Sequence, residues 1–171
     1  GVRWAVRAEQ KGSGHAVMQA MPDVPDEHMV LVLYGDVPLI QAETLRQLIA
    51  LAGPRCMSLL TVMLDNPQGY GRIVRDRNGR IRSIVEQKDA NKTQLRIREG
   101  NSGVLAAPAK LLRQWLGKLR SNNAQGEYYL TDIIAMAVND KVPVTAVHPS
   151  GEWETLGINS KVQLAQLERI H

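Results

Sequence analysis

The chain has 171 residues, a formal charge of +4, no Phe and one cysteine, Cys56. That length suits one domain with a substantial core, and a lone cysteine at the start of an apolar stretch excludes an internal disulfide and reads as a buried free thiol. The positive charge suits nucleic acid and polyphosphate ligands equally, but the cations are scattered, no run of five like charges occurs and aromatics are few, which argues against a dedicated nucleic-acid binder. No apolar run approaches the roughly 18 residues of a membrane span and no signal-peptide pattern opens the chain, so a soluble, cytoplasmic protein without a membrane partner is expected.

Residues 2–6 suit a short strand or a helix end, and Ser13 is placed to cap a helix over 14–20. Residues 29–34 form a continuous apolar run bounded by turn signals, the pattern of a strand buried on both faces. The run enters Gly35-Asp36-Val37-Pro38-Leu39, and residues 41–52 then read as an amphipathic helix closed by Gly53 and Pro54. Asp36 therefore sits beyond the carboxyl end of a strand, where open α/β sheets bind ligands. Taken alone it reads as readily as a turn residue or an N-cap as it does a metal ligand.

Residues 56–64 predict a second apolar strand, a parallel neighbour of the first. Ile73-Val74-Arg75 and residues 81–85 flank Asn78-Gly79, the chemistry of an antiparallel hairpin. A further strand is expected over 103–107. After Pro108, a helix over 109–119 places Leu111, Leu112, Trp115, Leu116 and Leu119 on one face. Thr131 is placed to cap a helix reaching 138, residues 142–147 suggest a late strand, and a last helix over 160–170 spaces Val162, Ala165, Leu167 and Ile170 for burial. Strands alternating with helices and interrupted by a ribbon predict an α/β fold with a mixed, mainly parallel sheet.

Seven strings share one resemblance: AEQKGSGHAV at 8–17, YGDVPLI at 34–40, DNPQGYGRIV at 65–74, IVEQKDA at 84–90, EGNSGVL at 99–105, NNAQGEYYLTDII at 122–134 and GINSKVQL at 157–164. In this order they resemble the uridylyltransferase domain of the bifunctional bacterial N-acetylglucosamine-1-phosphate uridylyltransferase and glucosamine-1-phosphate acetyltransferase. The resemblance implies a Rossmann-like nucleotide-diphospho-sugar transferase fold. It also implies uridylyl transfer from UTP to N-acetylglucosamine 1-phosphate, yielding UDP-N-acetylglucosamine and pyrophosphate for cell-wall precursors, with Mg²⁺ as cofactor. Catalysis and the metal fall to Asp36 and Asn159. The nucleotide falls to Arg7, Gly12, Ser13 and Asp36, and the sugar to Tyr34, Gly71, Glu86, Asn101, Thr131 and Asn159, with Glu127 and Tyr129 beside the acetamido group. Without the resemblance, Asn159 reads as an N-cap, Gly71 as a loop glycine and Glu86 as a surface glutamate.

The chain also departs from that family. Serine stands for threonine at Ser13 and Ser102, and Arg7, which offers only donors, stands where the family has glutamine. The family's amino-terminal glycine-rich triphosphate loop and its carboxy-terminal β-helix find no match. The expected organisation is thus a partial uridylyltransferase domain over 1–171, with 160–171 opening a connecting helix. A fragment of this kind would be weakly active or inactive and open to self-association through an exposed sheet edge. Two alternatives remain open: another sugar-1-phosphate nucleotidyltransferase, and a non-catalytic fragment acting by protein association.

Overall fold

The computed structural model describes residues 1–6 and 9–157. Its spine is a ten-residue strand, β5 (Glu99–Pro108), which pairs with strands along both edges. On one edge lies β2 (Met57–Met63), antiparallel, with Leu59 opposite Leu105 and Met63 opposite Glu99. On the other edge lie β3 (Arg72–Arg75), through Arg72 and Gly100, and β1 (Met29–Val32), with Val32 opposite Leu105. The hairpin partner of β3 is β4 (Ile81–Val85), and β6 (Val144–Val147) runs parallel to β2 at the far side. The sheet is mixed, as expected. By direction β1, β2, β3 and β6 run one way and β4 and β5 the other, whereas β2·β6 is the one parallel pairing among the described residues.

Adjacent leucines of β2 show how the sheet is sandwiched, because successive side chains of a strand point to opposite faces. Leu59 joins the larger core, where Leu105, Ala107, Ile73 and Ile84 meet α1 (Ser13–Ala20), α3 (Ala109–Leu116) and α4 (Asp132–Asn139). Leu60 joins a smaller core with Val104, Val147 and Leu48 of α2 (Ala42–Leu51). Helices therefore cover both faces. In α3 the predicted stripe buries Leu112, Trp115 and Leu116, and the Trp115 indole N–H is satisfied by Asp140 Oδ2 at 2.8 Å.

Four local expectations are corrected. Residues 2–6 form neither strand nor helix, and Val2, Trp4 and Val6 are exposed. The first strand is half-buried throughout rather than buried on both faces, and 56–64 is not its neighbour, because β5 lies between them antiparallel to both. Ser13 and Thr131 head their helices without capping them. Each hydroxyl has a distant partner instead: Ser13 Oγ accepts the Leu130 N–H at 3.2 Å, and Thr131 Oγ1 donates to Glu86 at 2.9 Å. The predicted helix over 160–170 lies outside the described residues. Among the described residues no helix is long and apolar enough to cross a membrane.

Candidate functional site

Beyond the carboxyl end of β1 the chain turns at Tyr34-Gly35-Asp36-Val37, with the Val37 N–H donating to the Tyr34 carbonyl at 3.3 Å. Asp36 faces a cleft of about 520 Å³, which Ser13, Tyr34, Gly71, Glu86, Asn101 and Thr131 also line. With residues 155–157, seven separate stretches of sequence meet at one concavity beside the sheet.

The opposite wall owes its shape to a bulge. Between paired positions β2 advances from Leu59 to Thr61 while β5 passes from Leu105 to Asn101, so β5 bulges over 102–104. Bulges of this kind re-aim side chains beside sites. Gly103 adopts φ 86°, and a Cβ there would stand 2.5 Å from the Tyr34 ring, so only glycine lets that ring lie on β5. Ser102 closes the bulge by donating to the Leu60 carbonyl at 2.7 Å and accepting the Val104 N–H at 3.2 Å, which commits its hydroxyl to the scaffold. Asn101 Oδ1 accepts the Gly103 N–H at 3.0 Å, leaving the amide NH₂ as the end that can donate into the cleft.

Glu86 follows β4 and receives the Thr131 hydroxyl on Oε1 at 2.9 Å. Burial pushes its carboxyl above the usual range. The Thr131 hydrogen bond opposes that rise, while the charges of Asp132, Asp89 and Glu127 add to it. Gly71 packs against this carboxylate: a Cβ there would lie 3.0 Å from Ile84 Cγ2 and 3.5 Å from Glu86 Oε2. The loop before Gly71 is tied down by Gln87, whose Oε1 accepts from the Gly69 N–H and the Arg72 guanidinium, and by Arg72, which donates to the Tyr70 carbonyl.

The other named residues divide. Gly12 lines a second cavity of about 500 Å³ that shares Ser13 and Tyr34 with the first, so these two side chains stand between the two spaces. Glu127 also faces that second cavity. Tyr129 lies in a smaller recess behind Glu86, with its hydroxyl donating to Asp89 Oδ2 at 3.1 Å. Arg7 and Asn159 lie outside the described residues. The sequence reading did not name Gln68, Tyr70, Gly103, Thr155, Leu156 and Gly157, which line the cleft. The strings at 65–74, 99–105 and 157–164 contain Gln68, Tyr70, Gly103 and Gly157, whereas Thr155 and Leu156 lie in none of the seven.

Asp36 makes no hydrogen bond or ion pair among the described residues, and no group of three or more His, Cys, Asp or Glu there is arranged to hold a metal. A single carboxylate at a cleft fits Mg²⁺, which takes one or two protein oxygens and completes its octahedron with waters and phosphate oxygens.

A family model described as nucleotidyl transferase matches residues 1–166. The bifunctional protein GlmU of Ralstonia nicotianae (strain ATCC BAA-1114 / GMI1000) is 59% identical over 170 residues, covering 99% of this chain and 37% of that protein. The bifunctional protein GlmU of Azoarcus sp. (strain BH72) is 59% identical over 168 residues, covering 98% of this chain and 37% of that protein. The chain thus spans about 37% of the length of these curated relatives. Among solved structures, a Bacillus anthracis protein provisionally described as a glucose-1-phosphate thymidylyltransferase superposes with a TM-score of 0.68 at 18% identity, over 95% of this chain and 62% of that one. At that identity the likeness shows a shared fold.

Proposed function

The chain belongs to the nucleotidyl transferase family, and from that premise we propose that it forms part of an enzyme transferring a uridylyl group from UTP to N-acetylglucosamine 1-phosphate. The products are UDP-N-acetylglucosamine, a cell-wall precursor, and pyrophosphate. On this reading residues 1–171 belong to the uridylyltransferase domain of a bifunctional protein. Identity of 56–59% to GlmU proteins supports the choice of substrates.

The observation that carries the reading is the convergence of Asp36, Glu86, Asn101 and Thr131 on one cleft. Uridylyl transfer needs no covalent enzyme intermediate. A phosphate oxygen of the sugar attacks the α-phosphorus of UTP and pyrophosphate leaves, so the protein aligns two anions and offsets their charge. Asp36 and Asn159 would hold the Mg²⁺, which supplies charge neutralisation at the phosphates when bound. Glu86 accepts hydrogen bonds from sugar hydroxyls, Asn101 donates to them, and Gly71 leaves room for the ring. Gly12 and Ser13, with Arg7, take the nucleotide side, where the second cavity opens.

Incubating the full-length enzyme, in which this chain is joined to the remaining length that its GlmU relatives carry, with both substrates and Mg²⁺ tests the proposal by chromatography of UDP-N-acetylglucosamine. Asp36→Asn is expected to lower the rate on the order of 100-fold or more, because a metal contributes several kcal/mol to phosphoryl chemistry. Absence of product from the wild-type protein, or an Asp36→Asn variant as fast as wild type, overturns it. Running the other nucleoside triphosphates in parallel decides whether Arg7 redirects the base preference.

A further inference from the structure

Glu154 is 0% exposed and takes no part in the chemistry outlined above, yet its carboxylate joins two walls of the cleft. Oε2 accepts the Gln41 backbone N–H at 3.2 Å and the Thr44 hydroxyl at 2.6 Å, and Oε1 accepts the Ser150 backbone N–H at 2.8 Å. Gln41 is the N-cap of α2 but supplies no side-chain cap, since its own amide donates to the Leu39 carbonyl at 3.0 Å. In a capping box, the third residue of the helix is a glutamate that reaches back to the N-cap N–H. Here that third residue is Thr44, and the carboxylate arrives from a distant part of the chain.

The two ends of this bridge matter because of what adjoins them. Gln41 closes the short segment that begins with Asp36 and Val37, both in the cleft wall. Glu154 directly precedes Thr155, Leu156 and Gly157, which line the same cleft. A negative charge at the first turn of α2 is also favoured by the helix dipole, which strengthens the tie. We infer that Glu154 is a positioning residue: it fixes the spacing between the Asp36 turn and the 155–157 wall, and so the geometry in which Asp36 meets a divalent cation. This inference rests on the metal-dependent function proposed above.

Substitution chemistry makes it testable. In Glu154→Gln one oxygen becomes an NH₂, and whichever way the amide lies, it faces either the Ser150 or the Gln41 backbone N–H, neither of which can accept. Thr44→Val removes one arm and leaves both backbone bonds, so it serves if Glu154→Gln folds poorly. The measurements are Mn²⁺ binding by electron paramagnetic resonance, KM for N-acetylglucosamine 1-phosphate, and hydrogen exchange in peptides spanning 36–45 and 148–157, all on the full-length enzyme. Glu154→Gln is expected to weaken Mn²⁺ on the order of tenfold, the usual consequence of losing a residue that holds a metal ligand in place, and to speed exchange in both peptides. Thr44→Val should shift both readouts in the same direction and less far. A folded Glu154→Gln with wild-type Mn²⁺ affinity and KM, whatever its melting temperature, overturns the inference. Failure of the underlying metal reading shows itself differently, as wild-type Mn²⁺ affinity in Asp36→Asn, and takes this inference with it.

Discussion

Glu86 and Glu99 flank the same β3–β4 ribbon, both are withdrawn from solvent, and their environments are opposite. The Arg75 guanidinium grips both oxygens of Glu99, with Nε 2.7 Å from Oε2 and Nη2 2.6 Å from Oε1, and Thr61 adds its hydroxyl at 2.7 Å. Burial pushes the Glu99 carboxyl up, but the Arg75 and Thr61 hydrogen bonds, with the charges of Arg75 and His148, outweigh it and leave the group below the usual range. Glu86 has a hydroxyl for a partner and carboxylates for neighbours, so burial prevails and the group is raised. A buried charge whose partners are all supplied by the protein reinforces the scaffold. One left short of donors at a cleft is poised to take them from a ligand.

The largest effect expected from this contrast is at Glu99. Glu99→Gln strips Arg75 of its counter-charge and should cost about 3 kcal/mol, toward the low end for a broken buried pair because Arg75 keeps 30% of its side chain in solvent. The sign with pH follows from the lowered carboxyl. Its contribution is present above the unfolded-state value and is lost as pH falls through the folded one. Denaturant titrations of wild type and Glu99→Gln should therefore diverge at neutral pH and converge in acid. Parallel curves throughout would remove the contrast.

Glu86→Gln should behave in the reverse way. Removing a half-buried charge that has no cationic partner leaves stability unchanged or slightly raised. The proposed function, however, predicts the loss of charge-assisted hydrogen bonds to the sugar, about 1.5 to 3 kcal/mol, read as a rise of tenfold or more in KM for N-acetylglucosamine 1-phosphate. A variant that loses stability with KM intact would place Glu86 in the scaffold beside Glu99.

That contrast was not legible in the sequence, where Glu86 and Glu99 are both glutamates beside apolar strands. What separates them is the company brought in from afar, Arg75 and Thr61 for one, Thr131 for the other. The apolar runs of β1 and β2, the Asn78-Gly79 hairpin and the stripe of α3 were readable because each is written in local periodicity. Which strands pair was not, since β5 inserts between β1 and β2 and two apolar runs look alike whether or not a third separates them. Ser13 and Thr131 illustrate the same limit: spacing marks them as caps, whereas their hydroxyls bond to partners across the fold. Asp36 was placed by its position after an apolar strand, the other cleft residues came from resemblance to a family, and the bulge that aims Asn101 had only Gly103 as its local trace.

The smallest effect is the most discriminating. Thr131→Val deletes the hydroxyl that opposes the rise at Glu86, so that carboxyl should move further up, by the ionised-state stabilisation of one hydrogen bond, about 1 kcal/mol. A carboxyl raised in the folded state favours folding below its unfolded value, and that advantage is lost as pH climbs through the folded one. Thr131→Val should then be less stable than wild type at neutral pH and match it in acid, the same convergence as Glu99→Gln but reached at higher pH. In sugar-phosphate binding, the acid limb should shift upward, because the ionised carboxylate is the form that accepts the hydroxyls. Should the limb stay where it is while neutral-pH stability falls, the Thr131 hydroxyl holds α4 against β4 and leaves the charge on Glu86 untouched.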